Sequence, residues 1–371
     1  MKILQFFKYF DWWLFIPLFL LISIGVVVIY SATWGEEGAT LAKIKVQMIA
    51  AGIGLFLFIV LALIDYRFLK NYRLIIYILM LLLLIAVLFW GSTIRGSRSW
   101  FSLGPFQFQP SEIAKICLII ILASFLADHQ EHINKLRVLL FSGFLTLLPV
   151  SLIILEHDLG AAVILVIVWL GMLIAAGLKL KYILIALSVF ILIGLISWFL
   201  LLAPYQKSRI ISFFNPRADP LGVNYNLIQS MIAVGSGGIW GKGLGHGSQS
   251  QLKFLPEAHT DFIFAVTAEE FGFLGGLIVL VLFAILILRI LKIGRLSLDK
   301  FGVFLASGVA ILILIQVMIN IGMNIGLVPV AGIALPLISY GGSALISSLI
   351  SLGLVESIYM NYRKIAFGRE K

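Results

Sequence analysis

Ten apolar runs of roughly 17 to 25 residues alternate with shorter polar segments along the chain, and each run is long enough for a helix that crosses a bilayer. The runs predict helices at about 12–32, 46–64, 74–90, 111–127, 138–155, 159–176, 182–203, 262–288, 301–327 and 343–360. A long loop, about residues 204–260, separates the seventh helix from the eighth. We therefore predict an all-α polytopic membrane protein of ten helices, with residues 1–371 forming a single integral-membrane domain.

Composition supports this class. Of the 371 residues, 61% are hydrophobic and 12% are charged, whereas soluble domains carry about 25% charged residues. The single cysteine, Cys117, excludes an intrachain disulfide and any cysteine-based metal cluster. The net charge of +10 could indicate an anionic partner, but in a membrane protein it commonly reflects topology, so we expect no nucleic-acid partner.

The distribution of basic residues predicts the orientation. Seventeen of the 27 Lys and Arg residues fall in the two termini and in the loops on the terminal side. Four fall in the short loops of the opposite side, and five fall in the long loop. This bias follows the positive-inside rule. Both termini are predicted to be cytoplasmic, so the long loop is extracytoplasmic.

The segment LPEAHTDFIFAVTAEE, residues 255–270, places four carboxylates and His259 where the long loop enters an apolar helix. Carboxylates close to hydrocarbon usually face a protein interior or a wet cavity and have a function there. Asp261 lies at the junction of loop and helix, which suits either an N-cap or an ionised general base. The residues alone leave both interpretations open.

The long loop also contains a glycine-rich stretch, GSGGIWGKGLGHG, at residues 235–247. It does not match a phosphate-binding P-loop, because Gly243 follows Lys242 where Ser or Thr is required. Flexibility or tight packing is the ordinary reason for such a stretch. Arg209 and Lys242 in the same loop could hold a diphosphate, and contact with lipid headgroups is the alternative.

Further polar residues mark the ends and interiors of other spans. Glu112 and Lys115 are three apart on the predicted fourth helix, so they can pair, either to fix helix register or to set the charge of a cavity shared with Asp261. Asp158 begins the sixth span and suits an N-cap or a functional acid. Gln316, Asn320 and Asn324 form a polar stripe that suits interhelical hydrogen bonds or a substrate path.

Several ordered motifs resemble the SEDS family of shape, elongation, division and sporulation proteins. They are GSRSWFSLGPFQFQPSEIAK, EHDLGAA, the loop segment from residue 215 to residue 272, and GLVPVAGIALPLISYGGSA near the C-terminus. Together they extend over nearly the whole chain. The form GSQSQLKFLPEAHTDFIF and the short tails are more similar to the elongation member than to the division member. Many members place Arg directly before Trp, but Ser99 separates Arg98 from Trp100 here, which puts the family role of Arg98 in question.

The resemblance implies a peptidoglycan glycosyltransferase that polymerises lipid II into β-1,4-linked strands on the outer face of the bacterial cytoplasmic membrane. Asp261 matches the essential aspartate and would be the base that activates the acceptor hydroxyl, with undecaprenyl diphosphate as the leaving group. Glu112, Lys115 and Asp158 match further functional positions of the family. Arg98, Arg209, Lys242 and His259 complete the set expected to line the cavity or bind substrate.

The resemblance also implies partners and leaves alternatives. The partners would be a class B penicillin-binding protein and the elongation proteins MreB, MreC, MreD and RodZ. No cofactor is required, although a divalent cation such as Mg²⁺ or Mn²⁺ could assist the diphosphate leaving group; no residue specifies a metal site. The alternatives are a lipid II flippase, a non-catalytic scaffold for the transpeptidase, or the polymerase role of a division or sporulation paralogue.

Overall fold

A computed structural model of the chain describes residues 8–34, 39–94, 96–104, 106–200, 207, 211, 213, 222 and 224–368. Long helices dominate, as the hydropathy pattern predicts. The helices are α1 Trp12–Ala32, α2 Ala39–Leu63, α3 Arg67–Asn71, α4 Arg73–Trp90, α5 Pro110–His129, α6 Leu136–Leu155, α7 Leu159–Ala175, α8 Leu180–Leu200, α9 Tyr225–Ser236, α10 Ser248–Gln251, α11 Ile263–Leu296, α12 Lys300–Asn324 and α13 Gly342–Gly368. A 3₁₀ turn, Gln130–His132, follows α5.

A helix occupies each of the ten predicted ranges. Within the described residues, eight helices are long and apolar enough to cross a membrane: α1, α2, α4, α5, α6, α11, α12 and α13. Helix α7 is apolar but has 17 residues, and α8 is not among the eight. The protein is therefore a polytopic helical membrane protein, and the count of ten spans stays a prediction.

The all-α prediction is wrong for the loop between α4 and α5. Three short antiparallel strands form there, β1 Ser92–Ile94, β2 Ser97–Leu103 and β3 Phe106–Phe108, paired in the order β1-β2-β3. Strands this short give little periodic signal in a sequence. The Ser343 hydroxyl at the start of α13 holds the sheet, because it donates to the Gln107 carbonyl (2.9 Å) and accepts from the Gln109 amide (3.0 Å).

Burial separates central helices from peripheral ones. The apolar windows of α5 and α13 are 78% buried and that of α12 is 61% buried, whereas that of α4 is 22% buried. Helices α5, α12 and α13 therefore form the centre, and α4 presents most of its surface outward. Close packing of α13 on α2 requires a small residue, since a Cβ on Gly353 would lie 2.8 Å from the Phe58 backbone.

Helix α11 is broken near its start. Gly272 has φ 69° and ψ −164°, a conformation open to glycine and costly for other residues. The break divides a short segment with Glu269 and Glu270 from the long apolar remainder of the helix. A break at membrane depth leaves backbone groups that need new hydrogen-bond partners.

Candidate active site

Asp261 lies two residues before α11 and is half-buried. The N-cap position is taken by Phe262, which makes no side-chain capping hydrogen bond. The carbonyl of Asp261 accepts from the side-chain amides of Asn320 (3.0 Å) and Asn324 (3.1 Å) on α12. Asn324 also accepts from the Ala265 amide of α11 (3.1 Å). The asparagines of the polar stripe therefore bind α12 to the start of α11, as the hydrogen-bonding interpretation predicts.

The two residues before Asp261 are also fixed through their carbonyls. The Ser339 hydroxyl donates to the Thr260 carbonyl (2.7 Å), and the Tyr340 amide donates to the His259 carbonyl (2.9 Å). The Gln47 side chain of α2 in turn donates to the Ser339 carbonyl (3.2 Å). Three consecutive carbonyls, at residues 259–261, are thus bound by neighbouring elements. The backbone that carries the Asp261 side chain is preorganised.

One short stretch lies between Asp261 and Asp158. A Cβ on Gly332, which has φ +66°, would lie 3.7 Å from Asp261 Oδ2. A Cβ on Gly160 would lie 2.7 Å from the carbonyl oxygen of Ala331 and 3.7 Å from Asp158 Oδ1. Of the adjacent residues Ala331 and Gly332, the first therefore lies against Gly160, close to Asp158, and the second lies beside the Asp261 carboxylate. The fold brings Asp158 and Asp261 into one region, although they are far apart in sequence.

Asp158 caps α7, as one of the two interpretations predicts. Its Oδ1 accepts from the Ala161 amide (3.0 Å), and its Oδ2 accepts from the Gln109 side chain (2.9 Å). Burial raises the pKa of the Asp158 carboxyl, while the Ala161 amide and the positive charge of Lys115 oppose that rise. Asp158 therefore combines a capping contact with electrostatic contact to α5.

Glu112 and Lys115 form the predicted ion pair on α5. Lys115 Nζ lies 2.7 Å from Glu112 Oε1, and Lys115 is almost fully buried. Ser347 of α13 donates to Glu112 Oε2 (3.1 Å). The pair joins two central helices, which fits the register interpretation. Its charges also act on Asp158, so the acid at the start of α7 and the ion pair belong to one electrostatic group.

The glycine-rich segment meets α11 at its break. The amides of Lys242 and Gly243 donate to the carbonyls of Glu269 (3.0 Å) and Glu270 (2.9 Å). On the other side of the break, the amides of residues 273 and 274 donate to the carbonyls of Gly238 (2.8 Å) and residue 239 (3.2 Å). The segment thus supplies partners for backbone groups on both sides of the break. A Cβ on Gly237, Gly241 or Gly247 would collide with neighbouring atoms, so these three glycines serve close packing, one of the interpretations left open by the sequence.

Lys242 and the two glutamates strengthen this contact. Lys242 Nζ lies 2.8 Å from Glu269 Oε1, and the amides of Gln249 (2.9 Å) and Ser250 (3.2 Å) donate to the same fully buried carboxylate. Glu270 accepts from the Ser31 hydroxyl of α1. Glu269 and Glu270 thus bind the glycine-rich segment and α1 to α11, and Lys242 is already engaged in an ion pair. A role for Lys242 in substrate binding stays a prediction.

Two arginines complete the predicted set. The Arg98 guanidinium donates to the carbonyls of Gly91 (2.9 Å) and Phe89 (2.6 Å), where α4 ends. It satisfies carbonyls at a helix C-terminus, a site that favours cations. Arg209 lies outside the described residues. His259 lies beside Tyr340, with ring centroids 5.3 Å apart.

The described residues offer no group of three or more His, Cys, Asp or Glu side chains that could hold a metal ion. Those residues therefore form no cage of protein ligands around a metal. One functional candidate escaped the sequence reasoning: Glu156, at the end of α6, is fully buried, and neither carboxylate oxygen has a hydrogen-bond partner in the part of the chain that the structure describes. The acid-rich EHD tripeptide was the only signal for it.

Comparison with known proteins identifies close relatives over nearly the full length. Residues 11–364 match the family of FtsW, RodA and SpoVE, described as cell cycle proteins. The peptidoglycan glycosyltransferase MrdB of Escherichia coli K12 is 39% identical, over 94% of this chain and 95% of MrdB. Stage V sporulation protein E of Bacillus subtilis 168 is 38% identical, over 91% of this chain and 94% of its own length.

Solved structures give the same result. RodA, the rod shape determining protein of Thermus thermophilus, superposes with a TM-score of 0.69 at 31% identity, over 96% of this chain and 97% of RodA. A chain from a structure described as a peptidoglycan synthase complex that coordinates polymerization and crosslinking gives a TM-score of 0.80 at 31% identity, over 95% of this chain and 98% of that one.

Proposed function

This chain belongs to the FtsW/RodA/SpoVE family of cell cycle proteins, and we propose that it is a RodA-like peptidoglycan glycosyltransferase that polymerises lipid II during cell elongation. MrdB, a relative at 39% identity, bears that enzyme name. The observation that carries the proposal is the geometry of Asp261. Its carboxylate projects from a backbone held at three consecutive carbonyls and lies beside Gly332, whose neighbour Ala331 lies against Gly160 in the helix that Asp158 caps.

The proposed step is an inverting displacement with Asp261 as general base. A carboxylate oxygen of Asp261 takes the proton of the acceptor's GlcNAc 4-hydroxyl. The hydroxyl oxygen then forms a bond to the anomeric carbon of the donor, and the bond from that carbon to the diphosphate oxygen breaks. The electron pair leaves with undecaprenyl diphosphate, and the α linkage becomes β-1,4. A diphosphate leaves as an anion, so no acid is needed to protonate it.

The other charged groups set the field around the base. Asp158 and the Glu112–Lys115 pair act on one another electrostatically, and Ala331–Gly332 connects the surroundings of Asp158 to Asp261. Arg98, Arg209, Lys242 and His259 stay proposed contacts for the cavity or the substrate. Lys242 would have to exchange its bond to Glu269 for one to a phosphate. A divalent cation at the diphosphate remains part of the proposal.

The proposal includes location and partners. Ten spans with cytoplasmic termini would put Asp261 at the outer face of the cytoplasmic membrane, in agreement with the excess of basic residues on the terminal side. A structural relative comes from a complex that coordinates polymerization with crosslinking. We therefore propose a class B penicillin-binding protein as the direct partner, with MreB, MreC, MreD and RodZ as further members of the assembly.

The decisive experiment uses purified protein, its partner transpeptidase and fluorescent lipid II, with parent and Asp261→Ala compared. We expect glycan polymer from the parent, and no polymer from the variant at an unchanged thermal unfolding midpoint. Transport of labelled lipid II across liposomes, measured in parallel, tests the flippase alternative. Transport that depends on Asp261, together with polymerisation that does not, would replace the enzyme by a transporter.

A further inference from the structure

The turn between α6 and α7 holds two acids close together. Glu156 ends α6 and Asp158 begins α7, with His157 between them in the left-handed region at φ 64°. The turn is tied to the outer sheet, because the carbonyl of Glu156 accepts from the Arg98 amide (3.1 Å) and the Ser97 hydroxyl (2.7 Å). The turn is therefore fixed, and its two carboxyl groups cannot move apart freely.

The two acids differ in what surrounds them. Asp158 has hydrogen-bond donors from α7 and from Gln109. Glu156 is fully buried, and among the described residues neither of its carboxylate oxygens has a hydrogen-bond partner. An ionised carboxylate without donors is very costly in such a place, whereas a protonated one costs much less. The geometry favours a neutral Glu156.

The charged groups around the turn that the structure describes agree with a neutral Glu156 side chain. The Lys115 ammonium of α5 acts on Asp158 and already pairs with Glu112. The Arg98 guanidinium of β2 is turned to the carbonyls at the end of α4. Helix α7 carries no charged residue, and His157 is exposed. Burial, and then the charge of Asp158, raise the pKa of Glu156 to about 8.

We propose that Glu156 is a positioning residue that must carry a proton for the outer-face site to keep its active geometry. Loss of that proton would place two adjacent negative charges in one fixed turn. A Cβ on Gly160, in the first turn of α7, would lie 2.7 Å from the Ala331 carbonyl, and a Cβ on the next residue, Gly332, would lie 3.7 Å from the Asp261 carboxylate. Repulsion in the turn would therefore reach the base through one short continuous set of contacts. The inference rests on the proposed polymerase function.

The test compares Glu156→Gln with the parent, because glutamine has the shape of a protonated glutamate and cannot ionise. We expect equal polymerisation at pH 7. Between pH 7 and pH 9 the polymerisation rate of the parent should fall about tenfold, as expected for one group that titrates near pH 8. The polymerisation rate of the variant should fall less than about twofold over the same range. A variant with the parent's alkaline fall, or a folded variant that is inactive at pH 7, overturns the proposal.

Unfolding gives a readout that does not depend on activity. A carboxyl group with a raised folded pKa binds its proton more tightly when folded, so stability falls as pH rises from about 4.5 to about 8. The parent's thermal midpoint should fall over that range, and Glu156→Gln should flatten the curve. A second variant, Asp158→Asn, is used only for unfolding. It removes the charge next to Glu156, so the fall in thermal midpoint should end at a lower pH than in the parent. This variant tests the proposal if Glu156→Gln does not fold.

The two readouts also separate this proposal from the proposed function. A parent that makes no polymer at any pH contradicts the polymerase function, yet its unfolding curve still tests Glu156. A parent that polymerises, with unfolding curves that coincide in parent and Glu156→Gln, contradicts the role of Glu156 alone.

Discussion

The segment before α11 and the glycine-rich segment at the break of α11 are both anchored by hydrogen bonds, but through different groups. At residues 259–261, amides and a hydroxyl from other elements bind the backbone carbonyls, and the Asp261 carboxylate projects towards Gly332. At residues 238–243, the backbone itself pairs with α11, and the charged side chain of Lys242 is paired with Glu269. The first arrangement fixes the backbone that carries the proposed base, whereas in the second the backbone and the Lys242 side chain both take part in packing against α11.

The difference shows why a glycine-rich loop near a membrane need not bind phosphate. A broken helix at that depth leaves donors and acceptors that water cannot reach, and another backbone must supply their partners. At the closest approach only a residue without a Cβ fits, since a Cβ on Gly241 would collide with the Glu270 carbonyl. Close approach of backbone to backbone and close approach of backbone to ligand have the same sequence signature.

The largest expected effect is on catalysis at the first segment. Asp261→Asn keeps the shape of the side chain and the three carbonyl contacts but removes the base. We expect polymerisation to fall about 10²- to 10⁴-fold with an unchanged thermal midpoint, measured with purified protein and lipid II. Glu269→Gln is the control from the other segment; it should lower the midpoint while the folded fraction keeps its activity. Near-normal polymerisation by Asp261→Asn would refute the assignment of the base.

The second prediction concerns stability at the break. In Gly241→Ala, the new side chain would have to adopt a positive φ of +82° and would collide with the Glu270 carbonyl. We therefore expect the free energy of unfolding to fall by an amount on the order of 3 kcal/mol or more. Gly238 also has a positive φ but open space, so Gly238→Ala should cost only about 1 kcal/mol. Gly235→Ala has neither problem and lies within α9, so it should cost nothing or stabilise by up to about 1 kcal/mol. Unfolding in detergent should rank the three variants in this order; equal costs would contradict the packing role of the segment.

Much of the architecture followed from the sequence because hydropathy dictates membrane helices directly. The ion pair of Glu112 and Lys115 also followed, since three-residue spacing on a helix places both on one face. The strands at residues 92–108 did not follow, because their alternation is too short to separate from a loop. The break at Gly272 was hidden within the predicted eighth span, residues 262–288.

The candidate site was only partly accessible from the sequence. Asp261 was found because a carboxylate at the start of an apolar helix is conspicuous. The polar stripe was visible on α12, but its partner, the Asp261 carbonyl, lies about 60 positions away and depends on how α11 and α12 pack. Glu156 was missed because burial, which makes it unusual, is a tertiary property. Local patterns reveal which groups exist, and packing decides what they contact.

The third prediction tests whether Gly332 controls the position of the base. Gly332→Ala places a methyl group 3.7 Å from Asp261 Oδ2 in a backbone conformation that disfavours alanine. We expect a cost of about 1 kcal/mol and a reduction in polymerisation of about tenfold. Gly177→Ala is the matched control, with φ +91° and open space at the α7–α8 turn. Gly177→Ala should lose a similar amount of stability but no activity per folded molecule. Equal losses of activity in the two variants would contradict a special role of Gly332.

The smallest expected effect decides whether the two segments are truly distinct in function. Lys242→Met removes the ammonium from Glu269, which keeps the amides of Gln249 and Ser250. We expect a stability loss of about 1 kcal/mol and a change in kcat/KM for lipid II of about threefold or less. A tenfold rise in KM at unchanged stability would mean instead that Lys242 leaves Glu269 to bind the diphosphate. The glycine-rich segment would then belong to the substrate site. Lys242 would pair with Glu269 in the free protein and leave it only when substrate binds, so the two segments would differ in when their charged groups become available.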